Sequence, residues 1–251
     1  MNRLALTDAD AAGRRQVIAW MEQAGLTVRI DRMGNVYGRR EGTDPTAAPV
    51  LTGSHIDSVA TAGAFDGCLG VLCGIEVART LDERHGPADV RLEPPYAYVE
   101  CHIEQGPVLA ENDVQVGVVT GVQGISWQEI TIHGRAAHAG TTPTHLRADA
   151  GLAAARIGVH LRSIVDSGAY GELRATVGHL AVHPGLTNIV PARAELTVDL
   201  RNPDDARMAR AEEDLAAFLR TLEDGTPGLT LTTRRMAKTA YVPYGDGLRT
   251  W

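Results

Sequence analysis

The fold class is decided by residues 49–57, with the sequence Pro49-Val50-Leu51-Thr52-Gly53-Ser54-His55-Ile56-Asp57. The apolar first half is typical of a buried strand, and this strand ends at a polar tip. In residues 67–81, glycine and aliphatic residues alternate, as in a helix that packs closely against a neighbouring strand. A buried strand followed by such a helix predicts an α/β fold.

The segments on either side fit the same fold class. Residues 7–10, Thr-Asp-Ala-Asp, predict the cap of a helix that ends near Gly25. Residues 26–30 and 35–38 predict two strands joined by a turn. Further along, residues 82–95 are charged and rich in proline, which predicts a surface connection leading into an apolar strand at 96–101.

From Val114 onward the pattern of predicted elements changes to βαββαβ. This order predicts a ferredoxin-like sandwich with both helices on one face of the sheet. The chain therefore contains a second domain of a different type from the first. Its predicted elements are strand 125–133, helix 148–165, strands 174–182 and 193–201, helix 204–222 and strand 229–233.

Composition limits the classes of partner. The chain has 251 residues, 44% of them hydrophobic, and a net charge of -7 from 24 Lys plus Arg against 31 Asp plus Glu. A negative chain without a long basic run is unsuited to nucleic acid or an anionic membrane surface. We therefore expect a small-molecule partner. No apolar stretch has the length of a signal peptide or a membrane span, so we expect a cytoplasmic protein.

The three cysteines give no sign of a disulfide framework. Cys68, Cys73 and Cys101 are odd in number, form no CxxC pair and lie in apolar surroundings. A cysteine zinc site is disfavoured for the same reason. We expect all three to be buried thiols.

Four polar residues follow the predicted strands of the first domain. His55 and Asp57 alternate along the chain, so they point to the same side at the end of a strand. Asp66 lies between glycines, and His102 ends the next apolar strand. Two imidazoles and a carboxylate are a suitable ligand set for Zn²⁺, and Mn²⁺ or Co²⁺ is an alternative. A His-x-Asp pair by itself is more often a surface or capping pair.

Six further sequence motifs follow one another along the chain: Thr-Gly-Ser-His-Ile-Asp-Ser-Val at 52–59, Gly-Ala-Phe-Asp-Gly at 63–67, His-Ile-Glu-Gln-Gly-Pro-Val-Leu at 102–109, His-Ala-Gly-Thr-Thr-Pro at 138–143, Asn-Ile-Val-Pro at 188–191 and Asp-Leu-Arg at 199–201. In this order they resemble the family of N-carbamoyl-L-amino acid hydrolases, allantoate amidohydrolases and β-ureidopropionases, within the dinuclear zinc peptidases and deacylases. The His-Ile-Glu-Gln-Gly and His-Ala-Gly-Thr-Thr-Pro blocks are specific to this branch.

The resemblance implies metal ligands in the first domain. His55 would be a terminal ligand of one metal, Asp66 the carboxylate that bridges two metals, and His102 the remaining ligand of the first. Asp57 would orient a metal-binding side chain without binding the metal itself. The implied architecture is a partial zinc-peptidase-like catalytic α/β domain at 1–112, with residues 234–251 beginning its C-terminal return. A ferredoxin-like lid and dimerisation domain would occupy residues 113–233.

The resemblance also implies substrate-binding residues in the lid. His138, Asn188 and Arg201 match family residues that bind the substrate and its transition state, with Arg201 pairing with the substrate carboxylate. Taken alone, His138 is equally well a loop histidine and Arg201 a surface charge at a strand end. In the family this domain forms homodimers, and the lid histidine can serve the site of the neighbouring subunit.

The sequence departs from the family between Asp66 and His102. Family members carry a Glu-Glu pair there, a general base followed by a ligand of the other metal, and this chain has none. The interval 79–96 is several dozen residues shorter than in the family. The only Glu-Glu, at 212–213, is expected on a solvent-exposed helix face. The family's first helix and last histidine ligand have no counterpart between Met1 and Trp251.

Three interpretations follow from these observations. The first is a metal-dependent amidohydrolase that cleaves linear C–N bonds of N-carbamoyl amino acids or of ureido compounds such as allantoate. The second is a catalytically impaired remnant that acts as a dimerisation partner of a full-length relative. The third is an incomplete gene product.

Overall fold

The computed structural model describes residues 2–42, 44, 46–60, 63–85 and 97–244. Contacts divide the chain into two compact units, the first ending at Gly117 and the second beginning at Val118. Each unit is described by itself. Within the described ranges, no helix is long and apolar enough to cross a membrane.

The first unit contains the predicted capped helix, hairpin and strand-helix pair. The Thr7 side chain accepts a hydrogen bond from the Asp10 N–H and so caps α1. Strands β1 and β2 are antiparallel, whereas β3 and β4 are parallel. The elements are α1 (Asp8–Gln23), β1 (Thr27–Ile30), β2 (Val36–Arg39), β3 (Val50–Thr52), α2 (Cys68–His85), β4 (Ala97–Val99) and α3 (Val108–Glu111).

The first unit has a small core, and two expectations about this unit are corrected. Its buried cluster consists of Val17, Val71 and Ile75 from the two long helices. Strand β3 is not buried as predicted: Val50 is 66% exposed, because β4 is its only partner strand among the described residues. Helix α2 continues to His85, so the predicted surface connection begins later than residue 82, and residues 86–96 lie outside the described ranges.

The second unit confirms the ferredoxin-like prediction. Four antiparallel strands lie in the order β11-β6-β10-β8, and α4 and α5 cover one face. Asp149 and Asp204 cap the two helices by accepting backbone N–H bonds. The elements are β5 (Gly121–Val122), β6 (Gly124–His133), β7 (Ala137–His138), a 3-10 helix (Thr144–Leu146), α4 (Ala150–Asp166), β8 (Arg174–His183), β9 (Ile189–Val190), β10 (Arg193–Asn202), α5 (Asp205–Asp224), β11 (Thr230–Thr239) and β12 (Val242–Pro243).

The core of this unit follows from alternation along the strands. In β10, every second side chain is buried, and Leu196 and Leu200 are fully so. They belong to one cluster with Ile157 and Leu161 of α4 and Leu215 of α5. Both helices therefore pack against one face of the sheet, and the other face carries polar side chains together with Trp127, which is 41% exposed.

Two expectations about the second unit are corrected by contacts between distant residues. Strand β11 does not end at residue 233 as predicted; it continues to Thr239, and residues of its second half also pair with β6. Glu212 does not lie on a solvent-exposed face. Its carboxylate pairs with Arg235 at 2.5 Å and Lys238 at 2.6 Å, and only 12% of its side chain is exposed.

The cysteines are only partly as expected. Cys68, Cys73 and Cys101 are all free thiols. Cys68 and Cys73 are half-buried, whereas Cys101 is exposed, so the prediction of a buried thiol is wrong at that position. The reason is that the chain leaves β4 at Val99 and runs along the surface toward His102.

Candidate metal centre and lid residues

The parallel pairing of β3 and β4 places four polar residues near one edge of the first unit. His55 and Asp57 follow β3, and His102 follows β4, because the carboxyl ends of parallel strands meet at the same edge. Asp66 comes just before α2. Gly67, at φ +67°, allows a close approach here: a Cβ at this position would lie 2.4 Å from the His55 carbonyl oxygen.

The structure brings His55, Asp66 and His102 together. Nε2 of His55 lies 3.3 Å from Nε2 of His102, and the Oδ1 atom of Asp66 lies 3.7 Å and 3.6 Å from these two nitrogens. Asp66 is 3% exposed, whereas 43% of the His55 side chain and 26% of the His102 side chain reach solvent. The three side chains form a candidate metal site with a buried carboxylate and an open side.

These separations fit one tetrahedral ion. Bonds of roughly 2.0–2.2 Å from Zn²⁺ to nitrogen and oxygen put neighbouring ligand atoms about 3.3–3.6 Å apart. Both Nε2 atoms are available as ligands, since the other ring nitrogens have partners of their own. Nδ1 of His55 lies 3.2 Å from Oδ1 of Asp57, and Nδ1 of His102 lies 2.7 Å from the Ile103 carbonyl oxygen. Such contacts fix the tautomer and orientation of a ligating imidazole.

The sequence alone predicts no role for one residue of this centre, Gln105. The Gln105 side-chain amide donates a hydrogen bond of 2.6 Å to Oδ1 of Asp66. Gln105 adopts a positive φ of 55°, which turns the chain after His102 back toward the carboxylate. The signal was present in the His-Ile-Glu-Gln-Gly block, but nothing local indicates which distant carboxylate the amide would reach.

Two of the three residues that the resemblance assigns to substrate binding also lie together. Strand β7 pairs with β9, with His138 opposite Ile189, and the Ala139 N–H donates a hydrogen bond of 2.9 Å to the Asn188 carbonyl. His138 is exposed, and its Nδ1 accepts from the backbone. Both residues lie near the end of the four-stranded sheet where β10 begins, His138 in β7 and Asn188 just before β9.

Arg201 lies at the opposite end of the same sheet. It is separated from Arg193, where β10 begins, by eight residues, or about 26 Å at roughly 3.3 Å per residue. The Arg201 guanidinium pairs with Asp199 at 2.9 Å, and 44% of the side chain is exposed. The length of β10 therefore separates Arg201 from the end of the sheet where His138 and Asn188 lie.

Comparison with known proteins places this geometry among peptidase-related folds. Residues 120–226 match the family model of the peptidase dimerisation domain, and residues 35–93 match that of peptidase family M28. The crystal structure of a hydantoinase/carbamoylase family amidase from Burkholderia multivorans superposes with a TM-score of 0.84 at 35% identity. That match covers 97% of this chain and 74% of the other.

Curated relatives agree with the structural match. An N-carbamoyl-L-amino-acid amidohydrolase of Rhizobium meliloti is 36% identical, over 82% of this chain and 64% of its own length. A protein of the same name from Pseudomonas sp. (strain NS671) is 31% identical, over 91% of this chain and 71% of its own length. The chain belongs to the hydantoinase/carbamoylase family of amidases.

The chain is shorter than these relatives, also within the matched region. It spans 64% of the length of the Rhizobium meliloti protein. The match extends over 267 residues, but 82% of the 251 residues here is about 206. The relative therefore has internal positions with no counterpart in this chain, as the short interval at 79–96 predicts.

Proposed function

We propose that the chain is a metal-dependent amidohydrolase that cleaves linear C–N bonds of N-carbamoyl amino acids or of ureido compounds such as allantoate. The observation that carries the proposal is the spacing of His55, Asp66 and His102, whose ligand atoms lie 3.3–3.7 Å apart. The names of relatives support the substrate class, since they include N-carbamoyl-L-amino-acid amidohydrolase and probable allantoate deiminase.

The donor set favours Zn²⁺, with Mn²⁺ and Co²⁺ as alternatives. Two imidazoles and one carboxylate make a borderline-soft site, and three protein ligands leave a position open. A bound divalent ion supplies Lewis acidity and lowers the pKa of a coordinated water. Asp57 would hold the proton on Nδ1 of His55, so that Nε2 presents its lone pair. Gln105 would keep the Asp66 carboxylate turned toward both histidines.

The lid residues would bind the substrate and stabilise its transition state. His138 and Asn188 can both donate hydrogen bonds to the oxygen that becomes negative as the carbonyl carbon turns tetrahedral. A guanidinium matches the two oxygens of a carboxylate, so Arg201 would bind the acid group after exchanging its partner Asp199.

We infer that these lid residues act in a homodimer. A substrate held by His138 and Asn188 lies too far from Arg201 of the same chain, as the length of β10 requires. A site that uses both ends of a lid sheet therefore needs two chains. The dimerisation-domain match supports this inference. The domain boundaries given above and a cytoplasmic location stay predictions.

The lost Glu-Glu pair determines how fast such an enzyme would be. General base catalysis typically contributes about 10²–10⁴-fold to a rate. No Glu-Glu pair lies between Asp66 and His102, and Glu212 is engaged in the lid by Arg235 and Lys238. We therefore expect turnover slower than that of relatives that have the pair.

The proposal is tested by turnover with defined metals. Protein freed of metal by a chelator is reloaded with Zn²⁺, Mn²⁺ or Co²⁺ and incubated with N-carbamoyl amino acids, ureidopropionate or allantoate. We expect metal-dependent release of ammonia or free amino acid that is lost in Asp66→Asn. Reloaded protein that binds metal but turns over none of these compounds would contradict the proposal.

The missing Glu-Glu pair favours the second candidate, a remnant that acts as a dimerisation partner. The complete four-stranded lid supports this candidate, because it retains every element of the ferredoxin-like order. Size-exclusion chromatography with light scattering, with and without a full-length relative, tests it. A chain that stays monomeric alone and does not bind the full-length relative would exclude this candidate.

A further inference from the structure

Arg147 holds the loop that follows His138. Its Nε donates a hydrogen bond of 2.9 Å to the Thr142 carbonyl, and its Nη2 donates one of 2.7 Å to the Ala139 carbonyl. The side chain is half-buried, whereas His138 is exposed. One planar guanidinium thus spans both ends of a short turn, which a single-point ammonium could not do.

The same turn encloses one nitrogen of the His138 ring. The N–H groups of Gly140 and Thr141 donate hydrogen bonds of 3.1 Å and 3.2 Å to Nδ1 of His138. The Thr142 N–H donates to the His138 carbonyl at 3.1 Å, which closes the turn. Since backbone N–H groups only donate, Nδ1 must accept, and a neutral ring then carries its proton on Nε2.

The two sets of hydrogen bonds are linked through one peptide plane. The Ala139 carbonyl and the Gly140 N–H belong to the same planar trans peptide, so they point in opposite directions. Holding the Ala139 carbonyl on Arg147 therefore aims the Gly140 N–H at Nδ1 of His138. Rotation of this peptide would remove one donor from the ring.

We propose that Arg147 is a positioning residue that keeps His138 in the tautomer with the proton on Nε2. The use of that tautomer in hydrolysis rests on the proposed function, because only the protonated Nε2 can donate to a developing oxyanion. With Arg147 removed, the ring gains access to the other tautomer. Nε2 then presents a lone pair, which repels negative charge.

The tautomer is measured directly, without substrate or metal. The full chain is labelled with ¹⁵N-histidine, and long-range ¹H–¹⁵N spectra of the imidazoles are recorded, with the His138 signals identified by their loss in His138→Gln. We expect a single Nε2–H tautomer in the parent protein and a mixture in Arg147→Gln. Arg156→Gln, an exposed arginine on α4, is the matched control and leaves the pattern unchanged.

Two results overturn the proposal. One is an Nδ1–H tautomer in the parent protein, and the other is an unchanged Nε2–H tautomer in folded Arg147→Gln. If that variant does not fold, Arg147→Lys keeps the charge and loses the planar fork, and it should give the same mixture of tautomers. An unchanged tautomer there also overturns the proposal.

Activity provides a second readout. We expect kcat of Arg147→Gln to fall about 10- to 100-fold while KM changes little, as for a misplaced catalytic group. An equal loss in Arg156→Gln would indicate a general effect on the lid and contradict the assignment. Should the parent protein show no turnover, the proposed function fails, whereas the tautomer measurement still decides the role of Arg147.

Discussion

Oδ1 of Asp57 lies 3.2 Å from Nδ1 of His55, and the backbone carbonyl of Asp57 lies 3.0 Å from the same nitrogen. The side-chain and the backbone oxygen of Asp57 can thus both accept the Nδ1–H of His55, and this tautomer leaves the Nε2 lone pair for a metal. Substitution of a residue that hydrogen-bonds to a metal-binding imidazole typically weakens metal binding about 10–100-fold. The retained backbone carbonyl should keep the loss at the lower end of that range.

We therefore expect Asp57→Asn to weaken Zn²⁺ binding about 10-fold. Isothermal titration calorimetry on metal-free protein measures the change. Asp113→Asn is the control, since Asp113 has a positive φ that asparagine tolerates and belongs to the same unit. Equal affinities for Asp57→Asn and the parent protein would show that the carboxylate has no part in ligand orientation.

Gly67→Ala should abolish metal binding. Its new Cβ would lie 2.4 Å from the His55 carbonyl oxygen and 2.5 Å from Nδ1 of His55, in a backbone conformation that alanine rarely adopts. The ring must move, and the three ligand atoms then lose their spacing. Metal content after dialysis against Zn²⁺ measures the effect. Gly63→Ala, with open space around its Cβ, should bind as the parent does.

Leu161→Ala should destabilise the lid by about 2–5 kcal/mol, because it leaves a cavity in a packed core. Leu161 is 2% exposed on α4, whereas Leu152 on the same helix is 59% exposed. Leu152→Ala makes the identical change at the surface and should cost less than about 0.5 kcal/mol. Urea unfolding of both variants gives the two free energies. Similar losses of unfolding free energy in the two variants would contradict the assignment of Leu161 to the core.

Glu212→Gln should remove a pH-dependent part of the stability. Burial raises the pKa of Glu212, but hydrogen bonds from Lys238, Ser126 and Arg235 together bring it below its usual value. Because the folded pKa is lowered, this stabilisation is fully present above the unfolded pKa of about 4.3 and is lost as the pH falls through the folded pKa.

We expect Glu212→Gln to lower the free energy of unfolding by about 1–3 kcal/mol at neutral pH, and the difference to shrink below about pH 4. Urea unfolding across this range measures both values. Glu213→Gln, at the exposed neighbouring position, should have little effect at any pH. A difference for Glu212→Gln that persists at pH 3 would mean that packing, not charge, is responsible.

The separation of His138 from Arg201 predicts complementation between two inactive chains. His138→Ala and Arg201→Ala should each lose activity as homodimers. In random mixed dimers, one site recovers both intact residues, so roughly a quarter of all sites should be active. Steady-state assays after co-expression measure the recovery. Mixtures that stay inactive, with mixed dimers present, would place both residues in a site within one chain.

Local patterns in the sequence predicted most of the elements and the residue types of the candidate site. Alternation in strands such as β10 and the helical spacing of the lid predict which faces are buried, and these patterns are local. The contacts of His55 with Asp57 and of His102 with Ile103 join residues one or two positions apart in sequence. The candidate ligands could therefore be named from short motifs. The βαββαβ order then left few arrangements for the sheet.

Contacts between residues far apart in sequence could not be predicted from local patterns. Glu212 looked solvent-exposed because its partners Arg235 and Lys238 lie on β11, whose length and register no local pattern specifies. The pairing of β10 places Arg201 at the end away from His138, although both belong to family motifs. The contact of Gln105 with Asp66 spans 39 residues. Such contacts depend on strand register and chain reversal, which are fixed by packing of the whole unit rather than by neighbours in sequence.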